Sequence, residues 1–312
     1  MTSILPDWQW SYDGWIILVT SLVAVVCAIP GSFLLVRRQA MLGDAVSHAV
    51  LPGIAIGFLI SGSRGGGWML IGAVLAGLAT AMLTQALRGI AGVDRGAALG
   101  VVFSTFFALG LVLIAQVADS VDLDPACVLY GQVELVPLDL IEFSGLMIPR
   151  SVFWLLSVVI AMILMVRFLW KELLVASFDP ATSDAQGISS VVMNQVLMIL
   201  VAAACVVAFE AVGSILVVSL LVAPPAIARF FFNRLGTLLP AAIITGCLMA
   251  VAGCLVAMSA PAVSARVPAG VSIAGTTAMI GASALACMAA VQPLGRRLAG
   301  RAIQGSTGNE SP

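Results

Sequence analysis

The chain contains one histidine, His48, and it stands four residues after Asp44. On a helix that spacing puts the carboxylate and the imidazole on one face, a turn apart. An aspartate oxygen and an imidazole nitrogen so placed can bind one divalent ion such as Zn²⁺ or Mn²⁺. Two ligands leave a site incomplete, and water, another helix or a second subunit would have to supply the rest. A structural reading stands beside this one. Asp44 can cap a helix by accepting from the amides of Val46 or Ser47, and His48 can hydrogen-bond a neighbouring helix. Other reactive patterns are missing: the sequence holds no GxxxxGK[ST], no GxSxG and no HExxH. The chain is therefore not expected to be an enzyme, nor to hydrolyse nucleotide through a P-loop of its own.

What must position the pair is a membrane. Of 312 residues, 61% are hydrophobic and only 9% charged, and the mean hydropathy is +1.14. Soluble chains carry about 25% charged residues, so a soluble enzyme and a disordered protein are excluded. The net charge of −1 offers no basic footprint for nucleic acid. The expected fold is all-α: a polytopic helical membrane protein of eight or nine spans in one domain, 1–300, with a polar, disordered tail at 301–312. A span takes roughly 20 apolar residues, and nine stretches qualify: 14–36, 41–60, 67–88, 96–117, 151–170, 189–209, 212–230, 237–259 and 270–292. With the N-terminus outside and the C-terminus cytoplasmic, 11 basic residues fall inside and only Arg64, Arg150 and Arg266 outside, as the positive-inside rule requires.

The 41–60 stretch is the anomalous one. Val46–Ile60 alone covers about 22 Å at helical rise, short of a roughly 30 Å core, so a crossing must draw Asp44 and His48 into the bilayer. Ionisable groups there are costly and normally face a bundle interior or an aqueous path. Pro52 and Gly53 would loosen the helix just beyond, and Gly53 and Gly57 form a small-xxx-small surface for close packing. Elsewhere, MTSILPDWQW lacks the basic start of a cleavable signal, and Trp8, Trp10, Tyr12 and Trp15 resemble an interfacial aromatic belt. The acidic stretch 118–150 reads as an outer loop with a short helix or re-entrant piece around Val128–Leu140. Its acids are either solvated or a mouth that attracts cations. Glu210 lies at the outer end of the sixth span, where the favoured reading is an interfacial acid without function and the alternative a role in the pathway. Pro224–Pro225 either breaks the seventh span beside a cavity or, the favoured reading, terminates it before Arg229. The six cysteines lack metal or disulfide spacing.

Five collinear segments carry a resemblance. GDAVSHAVLPGIAIGF (43–58) resembles the signature of the ABC-3 family, the membrane permeases of zinc, manganese and iron ABC importers. LYGQVELVPLDL (129–140), FDPATSDAQGI (178–188), VGSILVVSLLVAPPAIAR (212–229) and VPAGVSI (267–273) resemble further family segments in the family's order. The chain departs from the pattern at Ser183-Asp184-Ala185, at Arg266 and at Tyr130. The resemblance implies a permease subunit in a prokaryotic plasma (inner) membrane, transporting Zn, Mn or Fe and holding no cofactor permanently. Its partners would be a cytoplasmic ATP-binding subunit, an extracytoplasmic metal-binding protein and a second permease chain, as homo- or heterodimer. Asp44 and His48 match the family's pathway ligands. Phe178, Asp179, Pro180, Ala185, Gly187 and Ile188 match the segment that docks into the ATPase. The residues themselves support a helix there, with Asp179 as cap, Pro180 first and Gly187 ending it. A gradient-driven metal carrier and an ABC permease for a chelated metal are the rival readings.

Overall fold

In lipid no water satisfies the backbone, so apolar runs of this length can pair every N–H and C=O only as helices. The computed structural model describes residues 10–62, 66–118, 133–143, 146–263 and 272–307. In chain order its helices are α1 (Trp10–Val36), α2 (Ala40–Ala49), α3 (Leu51–Ser61), α4 (Gly66–Ala91), α5 (Arg95–Ala118) and α6 (Arg150–Phe168). There follow α7 (Trp170–Phe178), α8 (Pro180–Ala185), α9 (Ser190–Val212), α10 (Ser214–Phe231), α11 (Leu235–Val263) and α12 (Ile273–Thr307). Among the described residues, eight helices are long and apolar enough to cross a membrane, namely all but α2, α3, α7 and α8.

The stretch expected as a ninth single span is instead two short helices, α2 and α3, meeting at Val50. Pro52 accounts for the break. It has no N–H to give the His48 carbonyl, its ring crowds that turn, and it sits in the first turn of α3, where proline is tolerated.

The core is built around α1, α9 and α10. Phe33, Leu197, Leu216 and Leu220 are fully buried there, and α1 packs on α6, α9, α10 and α11. Pro224 and Pro225 do not end α10. The helix runs through them to Phe231, correcting the favoured reading. Pro225 has no N–H for the Leu221 carbonyl, and Gly31 of α1 packs against that carbonyl. A Cβ on Gly31 would lie 2.1 Å from it. Glycine at 31 thus lets a Cα–H meet an oxygen that lacks its helical donor, offsetting part of the loss.

Val133–Leu138 is a 3-10 helix, with Val133 and Val136 buried, and the Tyr12 hydroxyl donates to the Glu134 carbonyl. After it come β1 (Leu140–Phe143) and β2 (Leu146–Pro149), an antiparallel hairpin with Leu140 opposite Pro149. This hairpin is the one departure from an all-helical architecture among the described residues. Residues 128–132 of the expected outer helix lie outside the described residues, as do Asp119, Asp122 and Asp124. At the other end α12 continues to Thr307, into the segment read as a tail, and 308–312 are again outside the description.

Candidate functional site

The structure places Asp44 and His48 on α2, one helical turn apart along its backbone. The buried side of α2 is small and apolar: Gly43, Ala45, Val46, Ala49 and Val50. Gly43 meets α10 so closely that a Cβ would sit 1.9 Å from Leu221 Cδ2. The Cys205 thiol of α9 reaches the Gly43 carbonyl at 3.9 Å. His48 is half-buried and turns to α5 instead. Its ring centroid lies 5.8 Å from that of Phe103 and 5.4 Å from that of Phe107, the latter edge-to-face at 81°. The two phenyl rings stack at 6.1 Å. The side chain of Asp44 lies outside the described part of the molecule.

Helix α3 is the rigid base of this arrangement. It lies against α4 and α5 with no room for side chains at the crossings. A Cβ on Gly53 would be 2.1 Å from the Gly72 carbonyl oxygen, and one on Gly57 would be 2.5 Å from that of Trp68. The small-residue surface expected at 53 and 57 therefore faces α4.

At the end of the bundle carrying Arg37 and Arg88, α8 forms a short, well-capped helix. Asp179 accepts from the Thr182 amide at 3.1 Å and from the Thr182 hydroxyl at 2.5 Å. These bonds, the hydroxyl's first, hold the Asp179 carboxyl below the usual carboxylate range. Pro180 opens the helix. Gly187, at φ +81°, closes it with paired bonds from Ile188 N to Ser183 O and from Gly187 N to Asp184 O, a Schellman ending. The Asp184 carboxylate accepts from the amide and hydroxyl of Ser190, tying α8 to the start of α9. Asp179, Pro180, Ala185 and Gly187 are exposed, Ile188 is partly buried, and the large apolar Phe178 is 58% exposed. That combination presents a rigid polar knuckle with one aromatic contact beside it.

Sequence reasoning missed four participants. Phe103 and Phe107 are an i, i+4 aromatic pair whose spacing marks a shared face. Asp184 stood only as a departure from the family pattern, and its carboxylate accepts from Ser190, the first residue of the next helix, which Ser189 caps. Arg37 counted only as an inner-face charge. Glu210 stands near Arg150 and Asp139 toward the C-terminal end of α9.

A bundle that leaves an imidazole half-buried on a broken membrane helix, with a capped knuckle at one end, is built as a polytopic membrane permease. Residues 11–287 match the ABC 3 transport family, and the chain belongs to that family. It is 40% identical over 242 residues to the manganese transport system membrane protein MntD of Bacillus subtilis, covering 77% of this chain and 82% of that one. It is 36% identical over 209 residues to the zinc transport system membrane protein TroD of Treponema pallidum, covering 67% of this chain and 57% of that one. Among solved structures, PsaBC from Streptococcus pneumoniae in complex with Fab matches with a TM-score of 0.71 at 27% identity, over 88% of this chain and 90% of that chain. The protein is thus a transport permease subunit, not an enzyme, and a multi-pass protein of a prokaryotic inner membrane. Family membership sets aside the gradient-driven carrier.

Proposed function

We propose that this chain forms the path by which manganese or zinc enters the cell, as the membrane subunit of an ATP-driven importer. The observation that carries the reading is the position of its one histidine: half-buried, against two phenyl rings, one turn from Asp44 on the half-length helix α2. Asp44 and His48 bind the ion in passing, and water or a second permease chain, identical or paralogous, completes the ligand set. A site of few protein ligands suits transport, because the ion must leave as well as enter. Iron remains a third cargo that the same donors accept, and no cofactor stays bound.

The knuckle Phe178–Ile188 docks in a cytoplasmic ATP-binding subunit, and an extracytoplasmic metal-binding protein delivers the ion to the outer mouth. With α2 and α3 crossing in tandem, the N-terminus lies outside and the C-terminus inside, and 1–300 act as one permease domain. The relatives named for manganese and zinc transport support the cargo, and the exposed, capped form of α8 supports the docking role. The test is uptake of Mn²⁺ and Zn²⁺ by Asp44→Ala and His48→Ala variants in a strain lacking other importers. Loss of uptake at normal membrane expression is expected, and full uptake by both variants would overturn the assignment.

A further inference from the structure

Arg37 joins parts of the molecule that are far apart in sequence. It is the first residue beyond α1, and its side chain is half-buried in the wall of a cavity of about 330 Å³ that also takes in Gln39, Val46, Thr84, Arg88 and Asn194. Its Nε donates to Ser177 Oγ at 2.9 Å and its Nη1 to Asn194 Oδ1 at 3.3 Å. Ser177 is buried in the last turn of α7, where its own hydroxyl donates to the Leu173 carbonyl. It lies two residues before Asp179, the cap of α8. Asn194 is on the first turns of α9. One guanidinium therefore holds the approach to the docking knuckle on one side and the start of α9 on the other.

The backbone at Arg37 leads straight to the ligand helix. Gln39 N bonds Leu34 O and Arg38 N bonds Leu35 O, a Schellman turn in which Arg38, not glycine, takes the left-handed position at φ +55°. Helix α2 begins at Ala40, two residues past Arg38, and Asp44 is seven residues beyond Arg37. On the knuckle side nothing is loose: Asp179 caps α8, Gly187 closes it, and Asp184 ties it to Ser190. A displacement of α8 must then move Ser177 and the start of α9, and so must either drag or release Arg37. The planar guanidinium fork can hold two acceptors at a fixed angle, which an ammonium point charge cannot.

We propose that Arg37 is a positioning residue that transmits movement of the ATPase-docking knuckle to α2, and so to Asp44 and His48. This rests on the reading of Phe178–Ile188 as the docking segment and of α2 as the ligand helix. Energetic coupling needs a contiguous set of packed or hydrogen-bonded groups whose arrangement both sites bias, and the Ser177–Arg37–Asn194 bridge with the turn into α2 is such a set.

The test uses the full transporter, with its ATP-binding and metal-binding partners, in proteoliposomes. Uptake of Mn²⁺ and Zn²⁺ is counted against ATP hydrolysed, alongside ATPase assembly and the melting midpoint. Arg37→Met is expected to keep assembly and hydrolysis while metal moved per ATP falls about tenfold, within the range mutations along such networks produce. Arg37→Lys should recover part of the ratio. Ser177→Ala should lower it on its own but add little to Arg37→Met, because both remove one bridge. An unchanged ratio in Arg37→Met, or a loss that only follows the melting midpoint, overturns the proposal. Should Arg37→Met fail to assemble, an unchanged ratio in both Arg37→Lys and Ser177→Ala overturns it equally. Asp179→Lys separates the two layers: it should abolish ATPase assembly. If it assembles and couples normally, the docking reading falls and this proposal with it; if it fails while Arg37→Met couples normally, only the Arg37 link falls.

Discussion

Gly53→Ala adds one methyl group at the tightest helix crossing beside the ligand helix. The new Cβ would lie 2.1 Å from the Gly72 carbonyl oxygen, 2.6 Å from the Gly72 carbonyl carbon and 2.7 Å from Ala76 Cβ. Carbon and carbonyl oxygen rest about 3.3 Å apart, so α3 and α4 would have to part by about 1 Å. Two of the three obstacles are backbone, so no rotamer change relieves them. Overpacking of this kind costs about 3 kcal/mol at its upper range, and replacing glycine by alanine within a helix returns about 1 kcal/mol. The net is a loss of about 2 kcal/mol, or a midpoint drop of about 3 °C for a chain of this size. Gly72→Ala probes the same crossing from the other side, where its Cβ would sit 2.2 Å from the Gly53 oxygen. Gly89→Ala, near the end of α4 with nothing within 4 Å of its Cβ, supplies the control and should gain up to about 1 kcal/mol. The assay is thermal unfolding of the purified permease in detergent, followed by uptake in vesicles. Uptake should fall with Gly53→Ala, since α2 hangs from α3 through Val50. If Gly53→Ala melts no lower than Gly89→Ala, the argument that a backbone-tight crossing anchors the ligand helix is wrong.

Replacing Phe107 by leucine removes the edge-to-face seat of His48, a contact worth about 1 kcal/mol and so about fivefold in how often the ring holds its ligating pose; Mn²⁺ uptake at low concentration should drop by that order. Phe107→Tyr keeps the ring and should keep uptake, and equal uptake by the two variants would remove Phe107 from the site. The Asp179 carboxyl is held low by its bonds from Thr182, so its stabilising effect on α8 is present above the ordinary carboxylate pKa and is lost as the pH falls through the lower, folded value. Thr182→Val should move that midpoint back up toward the ordinary range, as read by carbon-13 NMR of the aspartate carboxyls; an unmoved midpoint would show that the hydroxyl bond is not its cause.

Which parts of this site were legible in the sequence follows from what hydropathy can register. Asp44 and His48 stand out because an ionisable group in an apolar run has no cheap explanation. The α8 knuckle was readable because Asp179-Pro180 and Gly187 each impose one backbone outcome, and the structure has both. Phe103 and Phe107 were invisible for the opposite reason: in a stretch such as 96–117 a phenylalanine facing lipid and one facing an imidazole are the same letter. Arg37 was counted by sign alone, since a charge tally cannot register that one guanidinium reaches residues 140 and 157 positions away. The Pro224–Pro225 pair misled because the penalty for proline in a helix was weighed without its neighbour. Gly31 on α1 is what meets the Leu221 carbonyl, and no local window contains both.

The break at Val50 has the same origin and a clearer consequence. A 20-residue window averages α2 and α3 into one span, yet the two halves are held differently. Helix α3 is fixed by glycine crossings against α4 in which backbone meets backbone. Helix α2 rests on α5 through His48 and on α9 and α10 through Gly43 and small apolar side chains, and its His48 is only half-buried. Its start is tied, through the tight turn at Arg38, to the bridge at Arg37. A single straight helix over 40–61 would join Asp44 and His48 directly to the half set by backbone-to-backbone crossings. Dividing it at Pro52 places both candidate ligands on the half that is seated through side-chain contacts and whose other end leads back to Arg37. That is the arrangement a transient ion site needs: rigid enough to present two donors a turn apart, and joined to its surroundings at points that can shift without opening the core.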